Sequence, residues 1–203
     1  MKLRILWAIL LSFLITNVAL AQDPVPLAML KQTSSQMLSA LKQNRPQLKG
    51  NTALVHRIVV KILLPHVDLD SMSRAVVGRS YWSQATPAQQ SQFKKEFTDT
   101  VIRTYATAIS SYDEEQIKFY PIRGFSPGQT QAQVRSDIIR KNGQVIPVSY
   151  RLILKNGQWL VYDFSVEGVS LVQSYQSQFA GVLSQSGFNG LLARLKQHNQ
   201  SRR

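Results

Sequence analysis

The chain contains no cysteine and only three histidines among its 203 residues. The lack of cysteine excludes disulfide bonds, thiol nucleophiles and cysteine-containing metal sites. No two histidines have the spacing of a metal site, and the sequence has neither a P-loop nor a glycine-rich dinucleotide-binding motif. His56 and His66 show no acidic or nucleophilic partner in the sequence, so we expect ordinary polar roles for both. These absences lower the expectation of an enzyme, a metal site or a cofactor.

The N-terminal segment has the layout of a cleaved secretory signal peptide. Lys2 and Arg4 precede an apolar run over residues 5–15, and Ala19 and Ala21 form the small-residue pattern of a cleavage site. The run is too short for a membrane-spanning helix, and no stop-transfer charges follow it. We therefore predict that residues 1–21 are removed and that the mature protein is exported.

Acidic residues are also scarce, with 11 Asp and Glu against 24 Lys and Arg, which gives a formal net charge of +13. An exported protein with this excess of positive charge is expected to meet anionic partners, such as phospholipid headgroups or acidic protein surfaces. Export makes nucleic acid an unexpected partner. The alternative is a charge that only keeps the protein soluble.

The spacing of apolar residues predicts helices over residues 26–112. The clearest start lies at Thr86, Pro87 and Gln89, which place a hydroxyl at the N-cap, proline at the first helical position and glutamine three residues after the cap. Gly78 is typical of a residue that ends the helix before it.

After Tyr112 the period changes, and residues 115–166 predict an antiparallel meander of about four strands. The pairs Asn142-Gly143 and Asn156-Gly157 predict tight turns between strands. In the last strand, simple alternation places Phe164 on the face opposite Trp159 and Val161.

Helical spacing returns over residues 170–196. Ser170 and Gln173 form a second capping pair, and Gly187 and Gly190 bracket a break. We expect residues 197–203 to be a flexible basic tail.

This order of elements predicts one α+β domain over residues 22–196, with the sheet covered by the long helix after Thr86 and the helix after Ser170. Aromatic and aliphatic residues from both layers could meet between them and either fill a core or leave an apolar cavity. These are Phe97, Val101, Tyr105, Tyr150, Tyr162, Phe164, Val169, Val172 and Phe179.

Two pairs of carboxylates also deserve a chemical interpretation. Asp163 and Glu167 lie close together near a strand end and could act as the acid and base of a glycosidase-type site. The alternative is a polar strand residue and a turn residue. Asp68 and Asp70 could bind a cation, but acidic residues at a helix start are the more common arrangement.

Several segments, in order along the chain, resemble the MlaC family of periplasmic phospholipid-binding proteins, also called the toluene-tolerance auxiliary component. The segments are 63–68, Gly78 with Tyr81-Trp82, 85–90, Phe93, Phe97, Tyr162-Asp163 and 167–179.

The resemblance implies a monomeric lipid carrier, with phospholipid as cargo and no catalytic residues. It also implies exchange of lipid with an inner-membrane MCE-domain ABC transporter complex and with an outer-membrane lipoprotein–porin complex, which keeps phospholipid out of the outer leaflet. Tyr105 and Val169 match the family's pocket pattern, and Gln176 stands where relatives often carry arginine. Of the nine residues named above, we predict acyl-chain contacts for all except Tyr162.

Two other functions remain open at this stage. One is an enzyme on a cone-shaped α+β fold that uses Asp163 or Glu167 as a base. The other is a periplasmic adaptor with a filled core and no ligand.

Overall fold

The computed structural model describes residues 24–200, so the predicted signal peptide lies outside the described residues. The helices are α1 Val25–Leu48, α2 Thr52–Ile62, α3 Leu69–Val77, α4 Arg79–Gln84, α5 Pro87–Ser110 and α6 Leu171–Gln200, with a short 3-10 helix at Leu64–His66. None of the helices within residues 24–200 is long and apolar enough to cross a membrane.

The predicted helix start at Thr86, helix end at Gly78 and helix break at Gly187 are confirmed. At the start of α5, the Thr86 hydroxyl accepts a hydrogen bond from the Gln89 amide, and the Gln89 side chain accepts one from the Thr86 amide. Gly78 ends α3 with a φ of 86°, a conformation that costs other residues free energy. Gly187 breaks the helical geometry inside α6 with a φ of 62°.

The strands are β1 Gln116–Phe119, β2 Gln131–Ile139, β3 Val145–Lys155, β4 Gln158–Val166 and β5 Val169–Ser170. They form one antiparallel sheet in the order β1-β2-β3-β4-β5, so the predicted meander is confirmed and gains a two-residue fifth strand. Asn156 and Gly157 both have positive φ, as a two-residue hairpin turn requires. In the turn at Asn142-Gly143, only Gly143 has a positive φ, because the connection from β2 to β3 is longer than two residues.

The predicted face of Phe164 is wrong, because a β-bulge interrupts the alternation of β4. Leu152 pairs with Val161, and Arg151 pairs with Asp163, so Tyr162 is the extra residue. Past the bulge, Phe164 pairs with Tyr150 on the same face as Leu152 and Val161. This face turns toward the helices, and we call it the inner face.

Three apolar clusters hold the layers together. The aromatic core lies between α3, α4, α5 and α6, and a second cluster lies between α1, α2 and α5. The third, the sheet cluster, packs the first turns of α1 on the inner face and contains Leu27, Leu30, Val134, Leu152, Trp159 and Val161. The covering of the sheet was assigned to α5 and α6 from sequence, and α1 is the helix that this prediction missed.

The predicted tail from residue 197 needs correction, because α6 continues to Gln200. Asn199 is buried, and its side-chain amide donates to the backbone oxygen and to the carboxylate of Glu96. The hydroxyl of Thr100 donates to the Asn199 side-chain oxygen. These bonds fix the end of α6 on α5, and residues 201–203 lie outside the described part of the chain.

Candidate functional site

Three of the residues predicted to contact a lipid lie in the aromatic core. Phe97 is 1% exposed, and Val172 and Phe179 are also buried. The Phe97 ring stacks on Phe93 with centroids 5.4 Å apart and meets Tyr175 edge to face at 5.1 Å. The structure therefore places these three side chains in a filled core between α5 and α6.

Further along α5, the packing becomes open. Val101 and Tyr105 are half-buried, and Thr104 and Ala108 on the same stripe of the helix are exposed. The Tyr105 ring meets half-buried Phe164 on β4, with centroids 6.0 Å apart. Three of the predicted residues thus lie where α5 faces the sheet.

The inner face continues past Phe164 toward one end of the sheet. Val166 lies there, and Ile146, Ile138 and Ile117 are cross-strand neighbours on the same face. All four are half-buried and belong to none of the three clusters. We call the space between this end of the inner face and the α5 stripe the cleft. An apolar surface that is only partly covered, as here, can bind an apolar ligand.

These isoleucines and Val166 were not among the site residues predicted from the sequence. Their alternation along the strands was a usable signal, but it does not distinguish an open apolar face from a packed one. The distinction depends on where α5 lies relative to the sheet.

Two of the predicted residues lie apart from the cleft lining at α5. The Tyr150 ring packs against Phe119, and its hydroxyl lies 3.3 Å from the hydroxyl of buried Ser136. Val169 on β5 is 64% exposed, and Val145 at the same end of the sheet is 49% exposed. Of the eight predicted residues, three therefore lie in the aromatic core and three at the cleft, while Tyr150 packs in the sheet cluster and Val169 lies at an exposed rim.

The tyrosine hydroxyls near the cleft are neutral donors. Burial raises the pKa of Tyr105, with a smaller contribution from neighbouring Tyr175. Burial also raises the pKa values of Tyr150 and Tyr175, against the opposing effect of their hydrogen bonds to Ser136 and Thr104.

Comparison with known proteins decides the family. The family described as MlaC protein matches residues 31–197. The chain belongs to the MlaC family. A relative from Haemophilus influenzae, named intermembrane phospholipid transport system binding protein MlaC, is 28% identical over 197 residues, which cover 95% of this chain and 90% of that protein. Toluene tolerance protein ttg2D of Pseudomonas putida is 29% identical over 184 residues, which cover 91% of this chain and 83% of that protein.

A solved structure of the same fold supports the assignment to the MlaC family. The phospholipid-binding protein from Ralstonia solanacearum, determined in complex with a phospholipid, superposes with a TM-score of 0.81 at 32% identity. The match covers 89% of this chain and 98% of that one. The resemblance recognised from sequence and the predicted α+β fold are both confirmed. Gln176, which the sequence resemblance singled out, is exposed on α6.

The carboxylate that sequence analysis considered as a catalytic base has a structural role in this MlaC family member. Asp163 is 2% exposed and accepts hydrogen bonds from the Arg151 guanidinium, the Ser170 hydroxyl and the Val172 amide. Its oxygens are therefore occupied by donors from β3, β5 and α6. Glu167 lies on an exposed turn with a φ of 51°. The geometry gives no support to an acid–base pair.

The helix-start interpretation of Asp68 is confirmed. Its carboxylate accepts hydrogen bonds from the amide and hydroxyl of Ser71 and from the Lys155 ammonium. Burial alone would raise the pKa of Asp68, but the bonds from Ser71 and then Lys155 outweigh it and hold the pKa below its ordinary value. Residues 24–200 contain no group of three or more His, Cys, Asp or Glu that could hold a metal ion.

His56 has an acidic partner that its neighbours in the sequence do not reveal, and this bond makes it a satisfied polar residue, as expected. Its Nε2 lies 2.8 Å from an oxygen of Asp99, and the Lys95 ammonium approaches the other oxygen at 3.4 Å. His56 lies on α2 and Asp99 on α5, so no local spacing indicates the pair.

A groove of about 490 Å³ crosses the outer face of the sheet, on the side opposite the cleft. Tyr120, Arg123, Arg135 and Asp137 contribute polar side chains to it. Arg123, Arg135 and Asp137 bring charged groups to this groove, and hydrocarbon would strip them of their hydration. The cleft is therefore the better candidate for an apolar ligand.

Proposed function

We propose that this MlaC family member is a periplasmic phospholipid carrier that holds acyl chains in the cleft and moves lipid between the inner and outer membranes. The observation that carries the proposal is the phospholipid bound by the Ralstonia solanacearum relative, which shares this fold at 32% identity. The names of the Haemophilus influenzae and Pseudomonas putida relatives, which refer to phospholipid transport and toluene tolerance, point in the same direction.

The energetics of lipid transfer explain why an apolar cleft suits this task. Exposure of an acyl chain to water costs ~0.8 kcal/mol per methylene, so a two-chain lipid costs about 20 kcal/mol. The ring contact between Tyr105 and Phe164, which crosses the cleft, contributes only ~0.5–1.5 kcal/mol. The free energy gained when a lipid buries its acyl chains is therefore many times larger than the free energy lost when α5 separates from the sheet and this ring contact breaks.

The predicted residues take different parts in this proposal. Val101, Tyr105 and Phe164 contact the acyl chains directly. The groups behind them support these walls: buried Phe97, Val172 and Phe179 in the aromatic core, and half-buried Tyr150 on the sheet. Val169 lies at the rim, where it covers a chain that enters the cleft.

The family membership supports a proposal about the wider system. We propose that the mature protein is a monomer released by cleavage after residue 21. It receives and delivers phospholipid at an inner-membrane MCE-domain ABC transporter complex and an outer-membrane lipoprotein–porin complex, without nucleic acid, cofactor or catalysis. The excess of positive charge suits anionic headgroups and acidic partner surfaces.

The test is lipid transfer from vesicles. Delipidated protein is mixed with vesicles that contain a labelled phospholipid, separated by flotation and assayed for bound label. We expect label to follow the protein. Protein that remains without lipid would overturn the proposal and favour the ligand-free adaptor, whereas conversion of the lipid to a new product would favour the enzyme.

A further inference from the structure

The lining of the cleft is apolar except for a few hydroxyl groups, and most of these already have partners. The Thr104 hydroxyl donates to the Thr100 carbonyl oxygen at 2.9 Å, so its oxygen accepts from the Tyr175 hydroxyl at 3.1 Å. On the sheet side, the hydroxyls of Tyr150 and Ser136 bond to each other.

Tyr105 differs from these groups. Its ring packs on Phe164 in the cleft, but its hydroxyl has no hydrogen-bond partner among residues 24–200. Burial raises its pKa, so the group keeps its proton and remains a donor at neutral pH. The hydroxyl is therefore an unpaired donor at the surface that a lipid would cover.

The occupant of the cleft decides what this donor does. In the empty cleft, water can accept its hydrogen bond. Acyl chains that displace this water would leave a buried donor unsatisfied, which opposes binding unless the ligand provides an acceptor. Hydrocarbon provides none. In a glycerophospholipid, the acceptors closest to the hydrocarbon are the carbonyl oxygens of the two esters.

We propose that the Tyr105 hydroxyl donates a hydrogen bond to an acyl ester carbonyl of the bound lipid, so that the cleft selects ester-linked lipids over ether-linked ones. This inference rests on the proposed phospholipid-carrier function and names the part of the lipid that the protein recognises. A site that provides a donor discriminates against an analogue that lacks the matching acceptor. An ether linkage has no carbonyl but leaves chain length and headgroup unchanged.

The test compares two lipids and three proteins. Wild type, Tyr105→Phe and Tyr81→Phe are each titrated with vesicles of diacyl phosphatidylglycerol and with vesicles of the dialkyl-ether form of equal chain length. Tyr81 is a matched control, because it packs on the aromatic core from α4. We expect wild type and Tyr81→Phe to favour the ester lipid by about fivefold, as expected for one hydrogen bond. Tyr105→Phe should bind both lipids equally.

The outcomes separate this inference from the function on which it rests. Equal binding of both lipids by wild type, or a full ester preference in Tyr105→Phe, overturns the role of the hydroxyl while leaving the carrier function intact. Wild type that binds neither lipid overturns the carrier function itself. If Tyr105→Phe binds neither lipid, the infrared carbonyl band of the ester lipid shows whether the hydrogen bond forms. A shift to lower frequency on binding to wild type supports the hydrogen bond, and an unshifted band contradicts it.

Discussion

Val161 and Phe164 lie on the same face of β4. In a regular strand, residues at positions i and i+3 lie on opposite faces. The bulge at Tyr162 causes this arrangement, because Tyr162 and Asp163 together oppose the single residue Arg151 on β3. The Arg151 guanidinium lies 5.4 Å from the centroid of the Tyr162 ring and also bonds to Asp163. The bulge thus keeps apolar side chains on the inner face and places the carboxylate where it can bind the start of α6.

We expect Asp163→Asn to lower the free energy of unfolding by about 2–3 kcal/mol, because the substitution removes a buried charge whose donors remain. Equilibrium unfolding in urea measures the change. Asp70→Asn is the control, since Asp70 pairs with Lys94 at an exposed position and should lose less than about 1 kcal/mol. Equal losses in the two variants would contradict the structural role of Asp163.

Tyr105→Glu should abolish lipid retention while the protein stays folded. A carboxylate in the cleft would lose its hydration when acyl chains enter, and this cost opposes binding. Lipid extraction and mass spectrometry of the purified variant measure retention. Thr107→Glu adds the same charge at an exposed position of α5 and should retain lipid. Lipid retained by Tyr105→Glu at the wild-type level would remove Tyr105 from the site.

Val169→Glu should change the free energy of unfolding by less than about 0.5 kcal/mol, because Val169 is exposed. If Val169 covers entering chains, the same variant should lose bound lipid. Thermal unfolding and lipid extraction on one sample separate the two effects. Unchanged stability with unchanged lipid content would show that the rim takes no part in binding.

Phe97→Ala and Phe164→Ala should differ in their main effect. Phe97 is fully packed in the aromatic core, so truncation should lower the free energy of unfolding by about 3–5 kcal/mol. Phe164 is half-buried at the cleft and should cost less stability but more lipid affinity. Urea unfolding and vesicle titration of both variants give the comparison. The reverse order would mean that the core and the cleft are wrongly assigned.

Asp68 should make stability depend on pH in the acidic range. Its folded-state pKa lies below the ordinary value of 3.8, so its stabilising contribution is present above that pH and is lost as the pH falls through the folded-state pKa. Asp68→Asn should be less stable than wild type at pH 7, and the difference should shrink below pH 3.8. Urea unfolding at several pH values measures this difference in stability. A difference that stays constant with pH would contradict the lowered pKa of Asp68.

Local signals in the sequence were sufficient for much of the fold. The capping box at Thr86, the turn at Asn156 and the break at Gly187 each depend on residues next to one another, so their geometry could be predicted. The bulge could not, because alternation is the default for a strand and nothing in the residues around Tyr162 overrides it.

The site was harder to predict than the fold. Phe97 and Tyr105 share one helix and similar apolar character, yet one is core and the other borders the cleft. That difference arises from the position of α5 against α6 at one end and against the sheet at the other. The pair of His56 and Asp99 was missed for the same reason, since it joins two helices.

The most direct test of the central claim is a native mass spectrum of the protein isolated from a periplasmic extract without detergent. We expect the wild-type protein to carry added mass equal to intact phospholipid, Thr107→Glu to keep this mass and Tyr105→Glu to lose it. A wild-type spectrum at the mass of the bare chain, from an extract that still contains free phospholipid, would contradict the carrier function.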